Sequence, residues 1–193
     1  MNQSLRKAIC FVSVANLIYF GIEFVAAFHI GSVSLFADSV DFLEDAFVNF
    51  LILLALGWSL KARARLGMVL AVLLLWPAFA TLWMIWDKFT HFTPPQPFPL
   101  SLVGGGALMV NLSCAYVLAR FRHHSGSLTK AAFYSARNDA FANIGIIIAG
   151  LLTFEWPSAW PDLIVGLGIA VMNADAAKEV WRTARKEHTE VHP

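Results

Sequence analysis

The sequence predicts an all-α integral membrane protein with six transmembrane helices and both termini in the cytoplasm. Of the 193 residues, 58% are hydrophobic and only 14% are charged, whereas a soluble domain carries about a quarter charged residues. The apolar residues come in blocks, and a helix needs about 20 such residues to cross a bilayer. The basic residues gather on one side of the predicted membrane, which sets the orientation.

The apolar blocks divide the chain into six predicted spans. They cover residues 8–29, 33–57, 67–87, 100–119, 131–153 and 159–177. The first block is too long for a cleaved signal peptide, and no small-residue cleavage site follows it. We therefore expect a cytoplasmic N-terminus at 1–7, one transmembrane domain at 8–177 and a short cytoplasmic tail at 178–193, without a soluble domain.

Twelve of the 14 Lys and Arg residues fall on one side of these spans. They are Arg6, Lys7, Lys61, Arg63, Arg65, Arg120, Arg122, Lys130, Lys178, Arg182, Arg185 and Lys186. Since basic loops stay in the cytoplasm, this side is the inner one, and a bacterial cytoplasmic membrane is expected. Tryptophans mark the two interfaces, with Trp58 and Trp181 predicted inside and Trp83, Trp86, Trp156 and Trp160 outside.

Two polar pairs lie within apolar spans. Asp41 and Asp45 belong to the second span, and Ser135 and Asp139 to the fifth. Side chains four residues apart share one helix face, and ionisable groups at bilayer depth mark functional sites because their burial is costly. Two such faces turned toward each other would supply oxygen ligands that suit a divalent cation.

The predicted topology brings the two pairs to the same depth. With a rise of about 1.5 Å per residue, Asp41 and Asp45 lie roughly 12–18 Å below the outer face. Ser135 and Asp139 lie roughly 8–14 Å above the inner face by the same measure. Both pairs are therefore expected near the middle of a hydrocarbon core about 30 Å thick.

Asp38 shares the face of Asp41 and Asp45, since the three fall within roughly 60° on a helix. Three ionised carboxylates on one stripe would repel one another, and either a bound cation or protonation relieves that repulsion. A site that accepts metal or protons in this way is the physical basis of metal/proton exchange. The alternative is that these groups hydrogen-bond helix to helix without transport.

The stretch from Gly31 to Asp45, GSVSLFADSVDFLED, resembles the second transmembrane helix of the cation diffusion facilitators, with the pattern G-S-x-x-L-x-x-D-x-x-[HD]-x-x-x-D. Residues 131–150 are similar to the fifth helix of that family, which carries [HDN]-x-x-x-D. Glu23 matches an acidic position in the first helix, and Trp160-Pro161-Asp162 is similar to the start of the sixth.

This resemblance implies a homodimer that exports divalent metal ions from the cytoplasm in exchange for protons. It implies a four-ligand metal site on Asp41, Asp45, Ser135 and Asp139, with helices 1, 2, 4 and 5 rocking relative to helices 3 and 6. The metal is the transported substrate, from the Zn, Mn, Co, Cd and Fe class, with zinc or manganese favoured.

The chain departs from the family pattern at Ser135, where His, an acidic residue or an amide is usual. An oxygen-only site favours harder ions such as Mn²⁺ or Mg²⁺, whereas imidazole favours Zn²⁺ and Co²⁺. The chain also resembles a short member of the family, without the cytoplasmic metal-binding domain that usually follows helix 6.

Accessory roles are predicted for Asp38, Glu23, Asn138 and Arg137. The Asn138 carbonyl lies about 100° around the helix from Asp139, and Arg137 about 160°. Arg137 either snorkels or pairs with an acidic residue, or it acts as a built-in cation that competes with metal. Asn16, Tyr19 and Glu23 share a face of the first span. They either line the cavity with Asp45 or hydrogen-bond between helices.

The sequence therefore predicts a secondary transporter of divalent metal cations, with metal ions, protons and membrane lipid as its partners. The alternative is a non-transporting membrane scaffold or partner subunit with a degenerate metal site, suggested by Ser135, Arg137 and the missing domain. An enzyme is not predicted, because no nucleophile–base motif of the H-E-x-x-H or G-x-S-x-G kind occurs. Nucleic acid is not expected as a partner, since membrane orientation accounts for the basic residues.

Overall fold

A computed structural model describes residues 3–54, 79–121 and 127–173, and the regular structure in these ranges is helical. The helices are α1 (Gln3–Ile30), α2 (Val33–Leu54), α3 (79–90), α4 (Pro97–Ala119), α5 (Ser127–Glu155) and α6 (Trp160–Asn173). The all-α prediction is confirmed for this part of the chain.

Several helices extend beyond the apolar blocks that predicted them. Helix α1 begins at Gln3, so residues expected to be an N-terminal segment are helical, and α5 runs from Ser127 to Glu155. Polar residues such as Gln3 and Lys130 continue a helix readily, whereas hydropathy detects only its apolar portion. Trp58 and Trp181 lie outside the described residues. So do most of the loop and tail residues that set the predicted orientation.

The surface of the described helices is rich in exposed large apolar side chains. Phe11, Ile18 and Phe28 on α1 and Met109 on α4 are each at least half exposed. The four tryptophans predicted at the outer interface, Trp83, Trp86, Trp156 and Trp160, are exposed as well. A monomeric soluble protein rarely shows apolar surface of this extent, so these faces suit contact with lipid.

Two of the described helices, α1 and α4, are by length and composition apolar enough to cross a membrane. Helix α2 has 22 residues, but it carries Asp38, Asp41, Glu44 and Asp45, which lower its hydropathy. The described parts of α3 and α6 are shorter than the roughly 20 residues that a span needs. Six membrane spans therefore stay a prediction.

The core joins two pairs of consecutive helices. Helices α1 and α2 pack along each other, α4 and α5 do the same, and α1 contacts α4 while α2 contacts α5. The largest buried cluster is apolar and draws on α1, α2, α4, α5 and α6, with members that include Leu35, Phe36, Leu100, Ile146 and Ile169. Helices α2 and α5, which carry the predicted site, are thus held side by side.

The small residues of α4 permit part of this close packing. A Cβ at Gly106 would lie 2.2 Å from the Tyr19 hydroxyl of α1, and one at Gly104 would lie 2.8 Å from Ile146 of α5. Two glycines of the Gly104-Gly105-Gly106 triplet thus lie against neighbouring helices. Gly105 has open space around the position of a Cβ.

The α1–α2 connection is a tight turn at Gly31, whose φ of 64° favours glycine. The Ser32 amide donates to the Ala27 carbonyl at 3.0 Å, a bond that satisfies one of the last carbonyls of α1. Lys88 is buried at the end of α3, and its Nζ donates to the Gly31 carbonyl. The turn is therefore fixed from both sides.

Asp162, at the start of α6, caps the N-terminus of α2. Its two carboxylate oxygens accept hydrogen bonds from the backbone amides of Val33 (2.8 Å) and Ser34 (3.1 Å) and from the hydroxyls of Ser32 (2.7 Å) and Ser34 (2.6 Å). An anion at a helix N-terminus satisfies unpaired N–H groups and complements the helix dipole. All of these groups are buried, so the cap joins α6 to the start of the site-bearing helix.

We expect Asp162→Ala to destabilise the protein strongly, because it removes the acceptor for two amides and two buried hydroxyls. The free energy of unfolding should fall by at least about 2 kcal/mol, given the cost of a lost cap and of unsatisfied buried groups. Thermal unfolding of the purified protein in detergent measures this loss. Asp87→Ala is the matched control, since Asp87 is exposed and contacts exposed His91. Equal losses in both variants would contradict the assignment.

Candidate metal-binding site

A polar pocket opens between α2, α5 and α6, with a cavity volume of about 120 Å³. It is lined by Asp41, Glu44, Asp45, Ser135, Asn138, Asp139, Met172 and Asn173. The four residues predicted as metal ligands all belong to this lining. A water molecule takes about 30 Å³ of liquid, so the pocket is large enough for an ion with several waters.

Asp45 is the residue that joins the helices around the pocket. Its Oδ1 accepts a hydrogen bond from Ser135 Oγ of α5 at 2.9 Å. Its Oδ2 faces Asn16 Nδ2 of α1 at 3.5 Å, and Asn16 Oδ1 in turn accepts from the Cys114 thiol of α4 at 3.6 Å. The pairs on α2 and α5 therefore meet directly, through a serine–aspartate hydrogen bond.

Asp41 of α2 and Asp139 of α5 add their carboxyl groups to the pocket lining and lie within electrostatic range of each other. Within the described ranges, no three His, Cys, Asp or Glu side chains gather closely enough to form a ready metal cluster. A cation here would have to draw the carboxylates inward or complete its shell with water. Mg²⁺ and similar hard ions commonly retain several waters.

Three lining residues were not predicted as site residues from the sequence. Glu44 follows Asp41 by three residues, so the spacing that relates Asp41 to Asp45 could have included it. Asn173 and Met172 come from the end of α6, and the amide of Asn173 also faces the Ala37 carbonyl at 3.4 Å. No motif in the sequence signals these two residues, because their position depends on how α6 packs.

Arg137 and Asn138 interact with each other beside the pocket. The Arg137 guanidinium donates to Asn138 Oδ1 at 3.3 Å, and both side chains are exposed. Asn138 belongs to the pocket lining, whereas Arg137 does not. Arg137 thus lies on an exposed helix face, and its role stays a prediction.

Asp38 and Glu23 lie apart from the pocket, in a second buried polar cluster. Asp38 Oδ2 accepts a hydrogen bond from the side-chain amide of Asn143, and Asn143 Oδ1 accepts from Asn111 Nδ2 at 3.0 Å. One sign of Asn143 is present in the sequence, because this residue follows Asp139 by four residues on the same helix face. Asn111 stands alone in an apolar block and carries no such sign.

Interhelical hydrogen bonds account for two of the three polar residues that were predicted to share a face of α1. The Tyr19 hydroxyl donates to the Val103 carbonyl of α4 at 2.6 Å, and its ring packs on Phe42 with centroids 5.1 Å apart. Asn16 bridges Asp45 and Cys114 as described. Glu23 faces Asp38 rather than Asp45, so the three residues do not line one cavity.

An all-helical bundle with lipid-compatible faces and a carboxylate-lined pocket inside it defines an integral membrane protein with a polar intramembrane site. The chain belongs to the family described as the cation efflux transmembrane domain, whose model matches residues 9–187. The resemblance to the cation diffusion facilitators is thereby confirmed.

Curated relatives of the chain include two kinds of named transporter. It is 21% identical over 207 aligned positions to the zinc transporter ZitB of Yersinia pseudotuberculosis serotype I, covering 98% of this chain and 64% of the relative. It is 26% identical over 195 positions to the cation-efflux pump FieF of Escherichia coli O1:K1, covering 89% of this chain and 64% of the relative. The chain thus spans just under two thirds of the length of these relatives.

We expect the two asparagines of the second cluster to be energetically coupled. Asn111→Leu and Asn143→Leu should each destabilise the fold, and the double variant should cost less than the two separate losses together. The expected coupling is about 0.5–3 kcal/mol for side chains in one hydrogen-bond network. Unfolding in detergent measures all four proteins. Ser113→Ala combined with Asn143→Leu is the control, because Ser113 is exposed and bonds within its own helix. Additive losses for Asn111 and Asn143 would contradict the coupling.

Proposed function

We propose that the protein is a secondary transporter of divalent metal cations and that its substrate binds in the pocket of α2 and α5. The observation that carries this proposal is the meeting of three aspartates from two helices in one intramembrane pocket. Membership of the cation efflux family supports it, as does the costly placement of ionisable groups at bilayer depth.

In this proposal Asp41, Asp45 and Asp139 supply carboxylate oxygens to the ion, and Ser135 supplies its hydroxyl oxygen. The Ser135 proton, now donated to Asp45, would turn away so that both oxygens can face the cation. All four ligands are oxygens, which favours harder ions such as Mn²⁺. Zinc also stays a candidate substrate, because the relatives include a zinc transporter and a cation-efflux pump.

We further propose metal/proton antiport that exports the metal from the cytoplasm. With the predicted orientation, α2 runs inward and α5 outward, so Glu44 and Asn138 lie on the cytoplasmic side of Asp41 and Asp139. A pocket lined by these residues would load from the cytoplasm. The proposal includes six membrane spans, a homodimer and a bacterial cytoplasmic membrane, in keeping with the bacterial relatives.

A second candidate function is a membrane scaffold or partner subunit that does not transport. One observation favours it: the described side chains hold no ready cluster of three metal-ligating residues. A measurement of metal binding by the purified protein distinguishes the transporter from the scaffold, because a scaffold with a degenerate site binds no divalent cation at the pocket.

We expect removal of any one carboxylate ligand to reduce transport strongly. Asp41→Ala, Asp45→Ala and Asp139→Ala should each reduce metal flux into proteoliposomes by about 10–100-fold or more, since even outer partners of a metal site matter on that scale. The assay follows Mn²⁺, Zn²⁺, Co²⁺ and Cd²⁺ uptake with and without a pH gradient. Asp87→Ala, at an exposed helix end, is the control. Unchanged flux in Asp45→Ala would refute the assigned site, and folded protein without flux of any ion would favour the scaffold.

We expect Ser135→His to change the preferred ion, because an imidazole ligand favours Zn²⁺ and Co²⁺ over Mn²⁺. The ratio of Zn²⁺ to Mn²⁺ affinity should rise by about tenfold or more. Competition titrations on the purified protein measure this ratio directly. Ser113→His on the exposed face of α4 controls for a histidine added elsewhere, and the same rise in both variants would exclude Ser135 as a determinant.

A further inference from the structure

Glu23 of α1 and Asp38 of α2 form a carboxyl pair outside the metal pocket. Both side chains are 0% exposed, and neither lines the pocket. They face each other closely enough for one carboxyl to hydrogen-bond the other if it carries a proton.

The hydrogen-bonding capacity of this pair is largely unmet. Both oxygens of Glu23 and the Oδ1 of Asp38 have no hydrogen-bond partner among the residues that the structure describes. Two nearby donors already have acceptors. The Tyr19 hydroxyl donates to the Val103 carbonyl, and the Asn143 amide donates to the other oxygen of Asp38. Two carboxylates cannot bond each other, since each is only an acceptor when ionised.

The ionisable groups that face the pair make full ionisation costlier. From α2 and α5 these are the carboxyls of Asp41 and Asp139, and from α1 the hydroxyl of Tyr19. An isolated buried carboxylate is so costly that the group neutralises instead. One proton placed between Glu23 and Asp38 turns two acceptors into an acid–carboxylate hydrogen bond.

We propose that Glu23 and Asp38 share a proton and that metal binding in the neighbouring pocket displaces it. The second half rests on the proposed transport function. Asp38 lies three residues from Asp41, about 4.5 Å along the helix, so a divalent cation at Asp41 adds positive charge within one turn of the pair. The proton leaves to water, the pair becomes two carboxylates, and the bound cation compensates their added charge. The pair is thus a proton site separate from the metal ligands.

The shared proton is tested without any metal. Infrared spectra of the purified protein near neutral pH, in H₂O and D₂O, should show the carbonyl stretch of a protonated carboxyl group. This band should be lost or shifted in both Glu23→Gln and Asp38→Asn. Glu155→Gln, at the exposed end of α5, should leave it unchanged. A band that persists unaltered in the Glu23 and Asp38 variants overturns the proposal, and if one variant does not fold, the other decides.

The displacement is tested by counting protons released when Mn²⁺ or Zn²⁺ is added to lightly buffered protein. Metal binding to acidic ligands releases protons, and Glu23→Gln should release about one fewer per bound ion than the unaltered protein and Glu155→Gln. Equal release from all three overturns the coupling. If the unaltered protein binds no metal at all, the transport proposal fails, and the displacement half fails with it. The infrared result then decides the shared proton by itself.

Discussion

The buried cap of Asp162 on α2 is the interaction on which the arrangement of the site depends. One carboxylate satisfies the first amides of α2 and the hydroxyls of Ser32 and Ser34. Because every residue of α2 is placed relative to its first turn, the cap also sets the depth and rotation of Asp38, Asp41 and Asp45. Lys88 holds the preceding Gly31 carbonyl, so three separate parts of the chain converge on the start of this helix.

Buried polar groups form successive layers along α2, from its capped N-terminus toward its C-terminus. Glu23, Asp38, Asn143 and Asn111 form one layer, and Asp45, Asn16 and Ser135 form the next. Most of these groups are bonded across helices, as burial in a low-dielectric interior requires. Among the described residues, the buried oxygens without a hydrogen-bond partner belong to Glu23, Asp38 and Asn49. The first two form the cluster that lies apart from the pocket, and Asp38 is about one helical turn from Asp41. Departures from full satisfaction are therefore concentrated near the part of the molecule to which a function is assigned.

The apolar blocks were enough to predict helices in the described ranges, and local periodicity was enough to predict the pocket-facing pairs. Spacing of four residues places Asp41 with Asp45 and Ser135 with Asp139, and helix rise alone put them at one depth. The suggestion that Glu23 lines one cavity with Asp45 rested on a shared helix face. Residues that share a helix face can still lie at different heights along the helix. In the α1–α2 hairpin, residues nearly equidistant from Gly31 come together, which matches Asn16 with Asp45 and Glu23 with Asp38. The contributions of Asn111, Asn173 and Asp162 depend on tertiary packing, so no local pattern could have predicted them.

The cap on α2 also bears on how the chain is made. Asp162 lies 129 positions after Val33, and a chain is synthesised from its amino end. Until α6 has been made, the first amides of α2 and the hydroxyls of Ser32 and Ser34 therefore lack Asp162 as their acceptor. For most of that interval its acidic side chains also lack Ser135 and Asn143 as partners, since α5 is made only shortly before α6. The synthesis of Asp162 thus completes the cap of a helix made much earlier, so the site reaches its final arrangement only after both helices that carry its aspartates have been made.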